Sequence, residues 1–482
     1  MSTSGLVRTL KPYPAYKDSG LPWLATIPAH WEVRRNGRLF VQRNETGFPD
    51  LPILEVSLKT GVRVRDFDTS KRKQVMSDRE KYKCARHGDI AYNMMRMWQG
   101  AVGVAPVDGL VSPAYVVARP LPETESRYYE YLFRTDAYMN EVNRFSRGIV
   151  SDRNRLYWED FKQMPSPFPP PAEQVLIARF LEHLDRRVRC YLSAKRRIID
   201  LLNEQKQAII HHAVTRGLNP NVRPKPSDVE WLGEVPEHWQ PVRLKHVARV
   251  QTGVTLGKNY GQVPLEQRPY LRVANVQSGR LDLTTVKTIA VPAKEASGAE
   301  LKAGDVLMTE GGDIDKLGRG CVWHGEIDGC LHQNHIFAVR PDQARLLPEY
   351  LVAVMASQQG RIYFEITAKK TTNLASTNSS TLGAFPLVLP EVIEQRALLD
   401  NIRLQTQSLD AAIAGAEREV AVLREYRTRL VADAVTGKLD VRQVAACLPD
   451  EVREAEPTDE TDLIAGDGEE DDFDAEPEEA VA

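Results

Sequence analysis

The sequence predicts an α+β protein with a pseudo-two-fold internal repeat: two mixed α/β domains joined by two long antiparallel helices that pair as a coiled coil. Three observations predict it. Short segments recur in the same order at a separation near 220 residues, too long for a solenoid and right for a duplicated domain. Each copy closes on a proline-marked stop followed by a long amphipathic pattern. A hydrophobic content of 42% with 27% charged residues is that of a globular chain, and 482 residues suffice for two or three domains. The expected boundaries are 1–170 for the first domain, 171–219 for a central helix, 220–390 for the second domain, 391–443 for a distal helix and 444–482 for an acidic disordered tail.

The repeat is carried by particular strings. LPWLATIPAHWEVRR at 21–35 returns as VEWLGEVPEHWQPVR at 229–243, each with a Trp, a Pro two residues before a His-Trp pair, and a basic strand-like run. HGDIAYN at 87–93 is echoed by AGDVLMT at 303–309, a turn into a buried strand. YYEYLFRTDAYMNEV at 128–142 is echoed by LPEYLVAVMASQQGR at 347–361, an amphipathic helix. MPSPFPPPAEQ at 164–174 matches FPLVLPEVIEQ at 385–395, and HHAVTRGL at 211–218 matches ADAVTGKL at 432–439.

The helices follow from spacing. From Ile177 an apolar seam runs through Leu181, Leu184, Val188, Tyr191, Lys195, Ile198, Leu202, Gln205 and Ile209 in alternating steps of four and three, the heptad pattern of a coiled coil. The second seam is Leu399, Ile402, Thr406, Leu409, Ile413, Ala416, Val420, Leu423, Arg427 and Leu430. The chain must return between the two units, so the economical pairing is antiparallel, and ~40 residues make a helix ~60 Å long.

Charge is distributed unevenly. Residues 450–482 hold sixteen acids against Arg453, about −15, so the net charge of −3 leaves the rest of the chain near +12. A basic body suits a phosphate-binding surface. The acidic stretch has too little apolar surface to offset the entropy of ordering; a solubilising role and a nucleic-acid mimic both fit it. No apolar run approaches the ~20 residues of a membrane span. Cys84, Cys190, Cys321, Cys330 and Cys447 are scattered, and the N-terminus lacks the apolar core of a signal peptide, so the reading is a cytoplasmic protein without disulfides and without membrane contact.

These strings resemble the specificity subunit of type I restriction-modification systems. WLGEVPEHW at 231–239 resembles the segment that opens its target recognition domains, and AYNMMRMWQGAVGVAPVDGLVSPAYVV at 91–117 resembles one class of first domain. GDVLMTEGGDIDKLGRGCV at 304–322, CLHQNHIFAVRP at 330–341 and TNSSTLGAFPLVLPEVIEQ at 377–395 resemble the family in order as well as composition. The resemblance implies two target recognition domains that read a bipartite, asymmetric site in double-stranded DNA, one half each. It further implies two modification (methyltransferase) subunits held by this chain and restriction (motor-nuclease) subunits joining the complex. S-adenosylmethionine, ATP and Mg²⁺ are then expected on those partners and no cofactor on this chain. The acidic stretch lies outside the pattern.

The residues themselves offer little catalytic chemistry. A methyltransferase needs a Gly-rich cofactor loop and an Asn/Asp-Pro-Pro-aromatic motif, and neither is present. Gly253-Val254-Thr255-Leu256-Gly257-Lys258-Asn259 has one residue too few between its glycines for a phosphate loop and ends in Asn where a Mg²⁺-binding hydroxyl is required. A nuclease reading, the alternative to a non-catalytic subunit, would use Asp313, Asp315 and Lys316, but a third acid at fitting spacing is missing and a DNA-contacting loop is preferred. Cys321, His324, Cys330, His332 and His335 gather zinc donors at spacings that fit no zinc finger, so no metal site is assigned.

Groups able to read DNA are plentiful, since Arg and Lys fork onto guanine, Asn and Gln onto adenine, and aromatic rings pack against bases or sugars. In the first domain these are Lys59, Arg63, Arg65, Arg96, Trp98, Gln99, Arg144, Arg147, Arg153 and Arg155. In the second they are Lys258, Asn259, Tyr260, Arg272, Asn275, Arg280, Lys316, Arg319, Asn334, Lys369, Lys370 and Asn373.

Overall fold

The strand Ile90–Asn93 is buried at every residue, and so are the first four residues of Tyr115–Pro120, its antiparallel neighbour. Continuous burial of this kind marks central strands covered on both faces. Phe40–Arg43 and Val102–Val104 complete a four-stranded antiparallel sheet around them. The structure, a computed structural model, describes residues 10–65, 79–148, 154–227, 229, 232–277, 279–312, 317–318, 320–370 and 375–449. It divides into two units, one holding residues up to 197 and from 417 onward, the other residues 198–416.

In the first unit the helices Ser126–Phe133 and Asp136–Phe145 cover the sheet, and Thr135 caps the second by accepting from the Tyr138 N–H. Phe40, Tyr129, Phe133 and Phe161 form an aromatic core with centroid separations of 5.4 to 6.2 Å. The strand Glu32–Arg35 pairs antiparallel with Pro165–Phe168, which leads into the long helix Pro171–Arg216. Two further antiparallel pairings, the hairpin Leu54–Ser57/Gly61–Val64 and Lys83–Ala85 with Gly109–Val111, build a second, smaller core.

The second unit repeats this plan. Ala248–Thr252, Ile336–Pro341, Val306–Thr309 and Gly320–Val322 form the four-stranded sheet, and Pro348–Ala356 and Gln358–Thr367 cover it. Gln240–Arg243 pairs with Pro386–Leu389, which leads into the long helix Val392–Val435. An added three-stranded sheet of Lys287–Val291, Glu266–Leu271 and Leu331–His332 distinguishes this unit, its last pair being parallel.

The registers measure the repeat. Glu32 pairs with Phe168 where Gln240 pairs with Leu389, so the offset is 208 before the sheet and 221 after it. Ile90 pairs with Ala118 where Val306 pairs with Val339, offsets of 216 and 221.

Ion pairs join the two long helices inside each unit. In the first, Asp185 takes Arg427 in a forked pair at 2.8 and 3.0 Å, and Lys195 meets Glu419 at 2.5 Å. In the second, Lys206 meets Asp410 at 2.6 Å. In the first unit the numbers rise on one helix as they fall on the other, so the two helices run antiparallel there. The second seam stays buried or half-buried throughout, whereas the first departs from the expected heptad: Tyr191 and Ile198 are exposed, and Leu192, Ile199 and Lys206 turn inward instead. A straight helix drifts against a seven-residue repeat, and one extra step of four after Val188 restores the inward face.

The distal helix ends at Val435, earlier than 443, and the chain continues into the short helix Arg442–Ala446. Val441, Ala445 and Leu448 lie in the core of the first unit, so the folded part extends past 444; residues 450–482 lie outside the described residues. No helix among the described residues is long and apolar enough to cross a membrane.

Candidate nucleic-acid interface

Each unit docks a basic hairpin onto the loop that follows its central strand. In the first, Arg147 and Arg155 bridge each other through backbone bonds of 3.0 and 2.9 Å, and the Leu156 N–H donates to the Met94 carbonyl at 2.8 Å. In the second, Lys369–Lys370 pairs with Ala375–Ser376, and the Thr377 N–H donates to the Glu310 carbonyl at 2.9 Å. Leu156 and Thr377 stand 221 residues apart and Met94 and Glu310 stand 216 apart, the offsets of the surrounding strands. The hairpin is therefore part of the repeat.

Docking brings several candidates of the first domain together. The loop after Ile90–Asn93 carries Arg96, Trp98 and Gln99; the Trp98 indole N–H donates to the Met95 carbonyl at 3.0 Å, and Gln99 is exposed. The end of Asp136–Phe145 joins them, because the Asn154 amide donates to the Asn143 side chain at 2.7 Å and Arg144 follows. Arg144, Arg147 and Arg155 are exposed; Arg144 leans on Glu141 at 3.1 Å and Arg147 on Asp160 at 2.5 Å. The guanidinium groups are 62% and 72% exposed while their carboxylates are 4% and 13% exposed, so each arginine keeps solvent-facing N–H groups for a phosphate without giving up its acid. Arg153 lies outside the described residues.

Lys59, Arg63 and Arg65 sit apart, on the Leu54–Ser57/Gly61–Val64 hairpin. Arg63 is exposed and paired with Glu55 at 2.5 Å, and Arg65 is half-buried. Lys59 lines a polar cavity of about 300 Å³ with Glu130, Arg134, Asp185 and Arg427. The Arg134 guanidinium donates to the carbonyls of Leu58 and Lys59 at 2.7 Å, fixing that turn. Burial pushes the Glu130 carboxyl up to about 7.

In the second unit Lys258 is exposed, paired with Glu295 at 2.9 Å and 5.3 Å above the Tyr260 ring; the Glu295 hydrogen bond raises its pKa. Asn259 accepts from the Gly261 N–H at 2.9 Å. Asn275 is buried and its amide is committed: it accepts from the Arg272 N–H and donates to the carbonyls of Asp282 and Thr285, at 2.8 to 3.0 Å. It braces a loop on which half-buried Arg272 and exposed Arg280 are carried. Asn334 is half-buried, its N–H donating to Val254, while Lys369 and Lys370 are exposed. Lys316, Arg319 and Asn373 lie outside the described residues, as do Asp313 and Asp315.

The possible zinc donors are spread apart. Cys321 and Cys330 are buried, their thiols pushed up to about 12 by desolvation, and His332 is buried with Nδ1 2.8 Å from the Ile336 carbonyl. His335 is exposed and pairs with Glu310 at 2.6 Å. Among the described residues no three such groups are placed to hold a metal ion. Gly253 of the loop-like glycine string is explained by packing, since a Cβ there would lie 2.0 Å from the His332 carbonyl oxygen.

One device that the sequence did not announce anchors each domain to its helix. The buried Glu173 carboxylate accepts from the Trp31 indole at 2.9 Å and the Tyr13 hydroxyl at 2.5 Å, and lies 2.8 Å from His30 Nε2. Glu394 takes the Trp239 indole at 3.1 Å and lies 2.9 Å from His238 Nε2. Gln174 and Gln395 complete the match, bonding the carbonyls of Pro169 and Pro390 at 2.8 and 2.9 Å. The recurrence of His-Trp and of Glu-Gln in both copies was the available signal.

Comparison with known proteins agrees with this architecture. The type I restriction modification DNA specificity domain matches residues 31–195. The EcoKI specificity subunit of Escherichia coli K12 is 23% identical over 331 residues, 67% of this chain and 68% of that protein. The putative MjaX specificity subunit of Methanocaldococcus jannaschii is 22% identical over 198 residues; the match spans 41% of this chain and 45% of that relative. A solved chain from a study of assembly and conformational transition in a type I R-M system superposes with a TM-score of 0.57 at 17% identity, covering 86% of this chain and 99% of that one. At that identity the likeness is one of fold.

Proposed function

We propose that the chain is a type I restriction-modification specificity subunit, a reading supported by the matching domain, the similar EcoKI subunit and the shared fold, and that it reads a bipartite, asymmetric site in double-stranded DNA, one half per unit, without chemistry of its own. The observation that carries this reading is the basic hairpin docked beside the central-strand loop, built once in each unit. Arg147, Arg155, Lys369 and Lys370 supply exposed cations for phosphates, and the adjoining loops supply side chains able to reach base edges.

Two modification subunits dock on the long helices, where Arg186, Arg187, Arg196 and Arg197 line the first, and restriction subunits join them. S-adenosylmethionine, ATP and Mg²⁺ bind to those partners, and the complex works in the cytoplasm on the DNA there. The antiparallel ion pairs of the first unit support the reading of the two long helices as a pair.

The test is salt dependence in the reconstituted complex. Each phosphate contact removed lowers the slope of log K against log salt by about 0.9, so Arg147→Ala with Arg155→Ala reduces it by up to about 1.8. An unchanged slope and affinity would remove the hairpin from the interface. The isolated chain binds its site weakly or without specificity and gains both with partners; equal affinity alone and in complex would contradict that dependence.

A further inference from the structure

At 100° per residue, Arg179, His183, Arg186, Arg187, Cys190 and Arg197 fall on one face of the first long helix, away from the buried seam of Ile177, Leu181, Leu184 and Val188. Arg186 and Arg187 act together there, since both help to lower the pKa of His183, after its burial. Glu182, at the edge of this ridge, is already taken by Arg127 at 2.8 Å. The ridge begins beside the last described residues: Arg179 donates to the carbonyl of Leu448, whose side chain sits in the core of the same unit. Residues 450–482, with sixteen acids and one base, therefore start at the first cation of a basic ridge.

We propose that residues 450–482 cover this ridge in the free chain, an intramolecular screen over the helix face that carries Arg186 and Arg197. Dimensions match: eighteen residues from Arg179 to Arg197 span about 27 Å of helix, a length that only about nine residues of extended chain would cover at ~3.3 Å each. Tethering at one end raises the effective concentration to the order of millimolar, enough for weak charge pairing to hold the segment in place at low salt. The inference is independent of DNA and of partner subunits.

Cys190 reports on it, being an exposed thiol in the middle of the ridge, whereas Cys84, Cys321 and Cys330 are buried. The experiment uses Cys447→Ser, which removes the other exposed thiol, and follows iodoacetamide labelling of Cys190 by peptide mass spectrometry. Truncation after Pro449 accelerates labelling by at least about threefold at ~50 mM salt, and the difference collapses at ~0.5 M salt, where the Debye length falls below about 5 Å. Arg186→Glu with Arg197→Glu in the full chain gives the same acceleration, and continued protection of the three buried cysteines shows that each variant is folded. Equal labelling with and without residues 450–482, or a difference indifferent to salt, overturns the proposal. So does a truncation that tightens DNA binding while leaving Cys190 unchanged, because the segment would then lie on the reading surface.

Discussion

Replacing Glu173 by Ala should damage its unit more than replacing Glu394 damages the other, although the two carboxylates hold equivalent places in the repeat. The Glu173 side chain is 5% exposed and serves Trp31 and Tyr13, themselves 0% and 4% exposed. Its loss strands two buried donors at about 1–3 kcal/mol each, while His30 turns to water, so the expected cost is about 3–4 kcal/mol. Glu394 is 30% exposed and only Trp239 behind it is fully buried; His238 is 49% exposed. Its loss should cost about 1–2 kcal/mol. Native-state hydrogen exchange of the peptides around Trp31 and Trp239 reads the two units separately. The expected loss of protection is roughly a hundredfold or more in the first case and about tenfold in the second, at 1.36 kcal/mol per decade. Equal losses would show that burial of the stranded donors does not set the energy of the clamp.

Three other perturbations probe the function and the core. Inserting four residues after Leu201 adds about 6 Å of helix and should lengthen the unread gap of the methylated motif by about two base pairs while leaving the half-sites unchanged; an unchanged gap would mean the helices are not the ruler. Exchanging residues 240–385 for those of another family member should alter one half of the motif, as mapped by methylation sequencing, and a change in both halves would refute independent reading. Glu130, with its folded pKa raised to about 7 from 4.5, binds a proton more tightly when folded, so its contribution is fully present below pH 4.5 and lost as pH rises through 7. Wild type should lose at most about 3 kcal/mol across that window relative to Glu130→Gln, measured by urea unfolding at successive pH values; parallel pH profiles would mean that solvent in the cavity already relieves the burial.

Much of the scaffold was legible because local periodicity writes it down. Buried strands, amphipathic helices, the second seam and the first as far as Val188 follow from spacing, and the recurrence of strings exposed the duplication. What spacing could not supply was contact between distant residues. Trp31 and Glu173 are 142 positions apart, and Asp185 and Arg427 are 242 apart. Spacing places Arg427 in the second seam but does not reveal that its guanidinium is held there by Asp185. Asn275 has the right amide for adenine, yet that amide is used within its own loop, which only a folded backbone reveals. The seam slipped at Tyr191 because a heptad was assumed where the helix keeps its own period.

The repeat also indicates which basic residues position DNA and which read it. The offset between copies is 208 at Glu32 and Gln240, 216 at Ile90 and Val306, 218 at Val104 and Val322, and 221 at Ala118 and Val339. It is still 221 at Phe168 and Leu389. All net insertions therefore fall between Arg43 and Ala118 in the first copy, the stretch that carries Lys59, Arg63, Arg65, Arg96, Trp98 and Gln99. The docked hairpin with Arg147 and Arg155 lies where the copies run without net insertion. Contacts to phosphates can be the same at both half-sites, whereas contacts to bases must differ if the halves differ. Substituting Arg147 and Arg155 by Ala should then weaken binding to every sequence alike, while Gln99→Ala or Arg96→Ala should relax one position of one half-site. Competition binding against a library of half-site variants separates the outcomes, and a changed motif in the Arg147→Ala, Arg155→Ala chain would refute the division of labour.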